Sequence, residues 1–251
     1  PPEYWTFIIN AEKITMQPWE AINFKGIAYD KPNASGLDRF SAQVGEGTVE
    51  GSYSVTSPEN MSTLKAQWKN IPVIYLIRHL KLPEIMEGIS TGNVDYSIDL
   101  DDPNTLSGKG SFQVENGKVK TDLLLSRFAP DMSPAGFPST LPFRSFSSDV
   151  IMEKDLVKTP NAQFNSEGLQ INGSGQFIID GDMDYNLSVT LSPQLASQIT
   201  VIRDSFNIRG HQIIQNPIQL GFRIHGPSSN PKGQVKELPP VGITLVSGAA
   251  E

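Results

Sequence analysis

Apolar and polar side chains alternate along much of this chain with a period of two. Val94, Tyr96, Ile98 and Leu100 are separated by Asp95, Ser97 and Asp99; Tyr185, Leu187, Val189 and Leu191 by Asn186, Ser188 and Thr190; Leu220, Phe222 and Ile224 by Gly221 and Arg223. Successive side chains of an extended strand point to opposite sides, so each run predicts a strand with one apolar and one polar face. Less regular versions recur at 7–9, 22–24, 40–44, 49–55, 64–68, 119–125, 169–171 and 206–208. The pattern predicts an antiparallel, all-β fold.

Helical spacing is confined to two short stretches. Residues 72–82 (PVIYLIRHLKL) place Val73, Ile74, Ile77, Leu80 and Leu82 near one side and stop at Pro83, which predicts an amphipathic helix. Residues 193–202 begin with Pro193 and space Leu195, Ile199 and Ile202 helically. Neither is long enough to cover much sheet.

An internal repeat organises the strands. SGKGSFQVENGKVKTDLLLS (107–126) parallels NGSGQFIIDGDMDYNLSVTLS (172–192): each has Gly-x-Gly-x-Phe, then Asn-Gly or Asp-Gly, then an alternating run. Asn116-Gly117 and Asp180-Gly181 suit two-residue hairpin turns, which need positive φ at both central positions. A looser relative, FSAQVGEGTVEGSYSV (40–55), turns at Gly45-Glu46-Gly47. The chain is expected to be a series of meanders built from one unit.

The Pro-rich segment 129–146 breaks the rhythm. Pro130, Pro134, Pro138 and Pro142 argue against a helix or a central strand, while Met132, Phe137, Leu141, Phe143 and Phe146 are too apolar for a plain linker. It is expected to be a connection packed across the end of the sheet, with a flap or partner-docking loop as the alternative. Residues 237–251 form a C-terminal tail, and the whole of 1–251 is read as a single domain.

Composition narrows the function. Of 251 residues, 38% are hydrophobic and 19% charged, which suits a folded domain, and a net charge of -7 without a basic cluster argues against nucleic acid. There is no cysteine, so thiolate chemistry and disulfides are excluded and the redox compartment stays open. No apolar run approaches a membrane span. The chain opens PPEYW without an initiator Met, the start expected of a fragment or processed form.

Candidate chemistry is thin. Asp180, Asp182 and Asp184 imitate the opening of a calcium loop, but Tyr185 stands where that loop needs Gly and Leu191 where it needs Glu. An acidic hairpin tip, with Asp182 and Asp184 toward solvent, accounts for them. His79, His211 and His225 lack metal-ligand spacing, and only folding could pair His211 with His225. No nucleophile elbow, phosphate loop or dinucleotide fingerprint occurs. Asn-x-Ser acceptors at Asn33, Asn60, Asn172 and Asn186 read as polar-face residues. We expect no enzyme, no cofactor and no metal.

So many one-sided strands need their apolar face removed from water, at roughly 25 cal/mol per Å². Two sheets could close as a sandwich, or one long twisted sheet could curl into a groove; alternation does not choose.

Several segments, in order, resemble the C-terminal region of AsmA-like proteins. They are KNIPVIYLIRHL (69–80), PEIMEGISTGNVDY (83–96), LSGKGSFQVENG (106–117), INGSGQFIIDG (171–181) and IQLGFRIHGPSSNP (218–231), within a likeness covering about 22–236. The resemblance implies a curled antiparallel sheet forming a groove. It also implies a periplasmic location, an inner-membrane anchor N-terminal to this chain, and a part in phospholipid transport and outer-membrane biogenesis. No catalytic residues transfer. The groove would be lined by the alternating sets Val94, Tyr96, Ile98, Leu100, Tyr185, Leu187, Val189, Leu191, Leu220, Phe222 and Ile224, and its partners would be phospholipid acyl chains and envelope proteins. The competing expectation is a structural scaffold of an envelope assembly such as a secretion system. A glycan-binding sandwich has little support, since Trp5, Trp19 and Trp68 form no evident platform.

Overall fold

The computed structural model describes residues 4–16, 19–79, 84–122, 138–179, 181–199, 216–228 and 231–237. Its strands are β1 (Trp5–Met16), β2 (Trp19–Lys31), β3 (Ala34–Val44), β4 (Gly47–Thr56), β5 (Met61–Pro72), β6 (Met86–Asp99), β7 (Asp102–Lys120), β8 (Thr140–Glu153), β9 (Leu156–Ser166), β10 (Leu169–Ile178), β11 (Asp182–Leu191), β12 (Ile218–Pro227) and β13 (Lys232–Glu237). All belong to one open, curled antiparallel sheet in which spatial order equals chain order. The groove-forming meander is therefore the architecture, and the closed sandwich is not.

Two helices are delimited within the described residues. Helix α1 (Val73–His79) follows β5, and α2 (Pro193–Gln198) follows β11. Ser192 caps α2, its hydroxyl accepting the Leu195 N–H at 3.2 Å, with Pro193 in the first turn where a missing N–H costs nothing. α2 is shorter than the spacing predicts, since Ile199 is already extended; α1 is described as far as His79, and Leu80, Leu82 and Ile202 lie outside the described residues.

The connections are sorted between the two edges of the sheet. Odd-numbered strands all run toward one edge, here the helix edge, because each neighbour is antiparallel. The three long connections, after β5, β7 and β11, all lie there. The opposite, turn edge carries short reversals, among them 32–33, Leu100-Asp101 and Lys154-Asp155.

The core follows the same polarity. Ala21, Ala42, Val44, Ile71, Val114, Val119, Leu141, Phe143, Leu169, Leu191 and Ile218 are buried, and every one lies in the half of its strand nearest the helix edge. Val73 and Ile77 of α1, and Leu195 and Ala196 of α2 with the following Ile199, pack into the larger buried cluster. Thus the helices do not cover the sheet; they plug one end of its apolar face.

Three sequence expectations change. Asn116-Gly117 is not a turn: β7 runs straight through it, so the 107–126 hairpin does not exist. Asn116, at φ 51°, is instead an extra residue relative to β6, where Ile89 faces Glu115 and Glu87 faces Lys118. The bulge switches the inward parity from Phe112 and Val114 to Gly117 and Val119, keeping apolar residues on one face of a long strand. Likewise the strand expected over 119–125 stops with β7 at Lys120; 123–125, like 206–208, lies outside the described residues. Finally, residues 140–146 of the Pro-rich segment belong to β8, an internal strand. Pro142 is tolerated because it stands near the start of β8, just past Phe143, the last β8 residue paired with β9. Residues 129–137 and the tail from 238 lie outside the described residues.

The Gly45-Glu46 hairpin forms, Val44 facing Gly47 with Gly45 at φ 59°. β10 and β11 also pair as a hairpin, Phe177 facing Met183, but the strands end at Ile178 and Asp182, so three residues connect them instead of the expected two, and the Gly181 N–H donates to the Ile178 carbonyl at 2.9 Å.

Candidate functional site

Pairing brings the sequence-predicted lining residues onto one face. Tyr185 lies opposite Ile224, Leu187 opposite Phe222 and Val189 opposite Leu220. Val94, Tyr96 and Ile98 lie opposite Ala66, Leu64 and Ser62 of β5, and Val94 and Tyr96 face Gly110 and Gly108 of β7. Directly paired residues share a face, so following the ladder from β6 to β12 places both sets on the same side of the sheet.

Two candidates are placed differently. Leu191 is buried beneath α2 and belongs to the plug. Leu100 is in the β6–β7 turn, because β6 ends at Asp99, and stands 53% exposed at the turn edge. The other nine, Val94, Tyr96, Ile98, Tyr185, Leu187, Val189, Leu220, Phe222 and Ile224, are half-buried, neither sealed nor free.

Strands β7 to β10 join the two sets with residues that the sequence reading did not select. Phe112, Phe146 and Phe164 step across β7, β8 and β9, the first pair edge-on at 5.2 Å between centroids and the second tilted at 6.4 Å. Such residues follow no clean alternation of their own; only cross-strand partnership reveals them. Between β5 and β12 the residues that pairing places on this face include no charged side chain. The phenols of Tyr96 and Tyr185 titrate above their ordinary value, chiefly because burial disfavours the phenolate. Both are neutral at physiological pH, and the Tyr185 hydroxyl accepts from the Thr159 hydroxyl at 3.3 Å.

The Gly-x-Gly repeat acquires a spatial meaning here. A Cβ on Gly108 would lie 2.6 Å from Tyr96 Cβ, one on Gly173 2.4 Å from Leu187 Cδ2, and one on Gly175 2.3 Å from the Tyr185 ring. Trp68 covers Gly92 in the same way: a Cβ there would lie 2.4 Å from its ring. Large groove side chains thus lie flat across a neighbouring strand's glycine, which lowers the floor of the groove instead of filling it.

The reverse face is polar. It holds an open depression of about 580 Å³ crossing β4 to β9, lined by Gln67, Asn93, Gln113 and Asn161 among others. Its carboxylates have local donors: Gln67 donates to Glu50 at 3.0 Å and Asn161 to Asp149 at 2.8 Å. Asn172 and Asn186 stand exposed on this face, while Asn33 and Asn60 are in turns.

The aspartate cluster does not assemble. Asp180 lies outside the described residues, Asp182 is exposed, and Asp184 accepts two hydrogen bonds from the Arg223 guanidinium at 2.7 Å each. No group of three His, Cys, Asp or Glu side chains that could hold a metal occurs among the described residues. His225 sits opposite Asp184 on the polar face; His211 and the His79 side chain are not described.

Arg223 holds the Asp184 carboxyl below the usual carboxylate range, mainly through these hydrogen bonds. A depressed folded value means the pair stabilises fully above about pH 5 and is lost as pH falls through the folded value. Asp184→Asn should therefore narrow the drop in urea midpoint between pH 7 and pH 3 relative to the unaltered protein. The pair is partly solvated, so the change should be small. An equal or larger drop in the variant would show that the ion pair contributes nothing.

No protein-family model, curated protein or solved structure matches the chain.

Proposed function

We propose that this sheet is a lipid-binding groove whose half-exposed apolar face shelters phospholipid acyl chains. The observation that carries the reading is a charge-free face, continuous from β5 to β12, whose buried apolar strand residues all lie toward the helix edge. A self-contained core would be buried along the whole strand length. Here side chains beyond the plug, including Tyr96, Leu187 and Phe222, keep part of their surface open, and an acyl chain laid across them would be stabilised by about 0.8 kcal/mol per buried methylene. Such a groove needs shape and apolarity instead of a reactive constellation, so we propose binding and transfer without catalysis or a cofactor.

The resemblance to AsmA-like proteins supports placing this activity in a bacterial periplasm, in phospholipid movement toward the outer membrane. Envelope proteins are the proposed partners, and the proposed anchor is N-terminal to this chain. No helix among the described residues is long and apolar enough to cross a membrane.

Native mass spectrometry of protein purified from bacteria without detergent tests the proposal. We expect a ladder of phospholipid adducts that organic extraction removes. Repeated recovery of lipid-free protein from envelope fractions would overturn it in favour of a scaffold role.

A further inference from the structure

We infer that the phenols of Tyr53 and Tyr96 seat the ester carbonyls of a diacyl lipid, so that its tails run toward the plug and its head group stands at the turn edge. This seat belongs to the groove proposed above and depends on that reading. Hydroxyl groups on the groove face divide by position. From β4 to β12, those of Ser90, Ser148 and Ser166 donate to the carbonyls of Ile71, Asp149 and Pro142, and that of Thr159 donates to Tyr185. Tyr53, Ser62 and Tyr96 have no hydrogen-bond partner among the described residues. Ser62 is 2% exposed, and a hydroxyl shut away from water without a partner is uncommon in a folded chain.

These three lie together. Tyr53 and Tyr96 both face Leu64, one from each side, and Ser62 is the next residue of β5 on the same face toward the turn edge. Burial raises the titration of the Tyr96 phenol and the Tyr53 phenol adds to it, as a near neighbour does. Both tyrosines are half-buried and stand three residues inside the turn ends of β4 and β6, about 10 Å at the spacing of extended chain. The next rung toward the plug is Gly51, Ala66 and Val94, a low floor that ends against Trp68.

A lipid ester fits this place. A phenol O–H donates to a neutral carbonyl oxygen without needing a countercharge, and this face carries none. Its ring covers the first methylenes while its hydroxyl meets the ester, the double character that suits tyrosine to a boundary between oil and water. The adjoining turns, 57–60 and 100–101, hold no lysine or arginine to grip a phosphate; their Glu59 and Asp101 make a head-group ammonium the better match. With the carbonyls at the tyrosines, acyl tails continue over Ala66 toward Trp68, and the head group projects past the turn edge into water. The reverse orientation would lay the carbonyls at the plug, where Ser90 and Ser166 are already engaged.

Native mass spectrometry of the delipidated full chain, incubated with vesicles of equal parts dipalmitoyl phosphatidylcholine and its dihexadecyl ether analogue, is the test. The two lipids share head group and tail length, and the ether lacks only the carbonyls. Wild type should hold the ester about fivefold or more over the ether, the worth of one hydrogen bond, and a Tyr53→Phe, Tyr96→Phe double variant should hold the two equally. Phenylalanine keeps both rings, so circular dichroism should not change. A wild type that takes the two lipids alike, or a double variant that keeps the wild-type preference, would overturn the seat and leave the groove standing. A wild type that takes neither lipid would overturn the groove reading and the seat with it.

Discussion

Phe222→Asp should abolish phospholipid retention while leaving the chain folded, whereas Val114→Asp should unfold it. Both residues lie on the same face of the same sheet, and the difference is position. Val114 is 2% exposed within the plug, where an unpartnered carboxylate costs about 3–5 kcal/mol, a large share of the 5–15 kcal/mol that holds a domain together. Phe222 is half-buried in the open stretch, so an aspartate there keeps access to water, and the loss is about 1–2 kcal/mol of apolar burial. A lipid tail lying against residue 222 would instead meet a charge with no partner. Thermal melts beside native mass spectrometry separate the outcomes. If Phe222→Asp melts as early as Val114→Asp, the open stretch is in truth sealed, and the groove proposal fails with it.

Gly175→Val should destabilise by about 3 kcal/mol or more, an unusually large effect for a strand position. The new Cβ would meet the Tyr185 ring at 2.3 Å and the Asp184 carbonyl oxygen at 2.6 Å. The ring could swing aside, but the carbonyl is held in the ladder between β10 and β11. Adding Tyr185→Ala should therefore recover only part of the loss. Urea midpoints measure both variants; a Gly175→Val protein within about 0.5 kcal/mol of wild type would mean that the two strands are not this closely packed.

Much of the fold was legible because alternation reports a strand's face directly. The runs 185–191 and 220–224 fall within β11 and β12, while 94–100 announced only the second half of β6. What alternation does not report is a change of parity. At Asn116 one extra residue reverses which positions face inward, and Asn-Gly chemistry serves a bulge as well as a turn, since both accept positive φ at Asn. At Pro142 the rule that proline avoids central strands gave way to a local fact, the end of the β9 pairing at Phe143. The site was legible in part. Nine alternating residues line the face, but the aromatic steps through Phe112, Phe146 and Phe164 appear only once neighbours are known. Leu191 fits the alternation perfectly and is still not lining, because burial under α2 depends on where a distant segment packs.

The confinement of every long connection to one edge leaves the meander free to lengthen. A duplicated hairpin inserted between any two reversals adds two strands, restores chain direction and leaves α1 and α2 over the same end. An insertion of a single strand would send every later segment to the wrong side. Descendants of this architecture should thus differ in span by even steps, and the distance over which such a trough conducts a greasy cargo becomes a quantity that duplication can adjust without redesigning its plug.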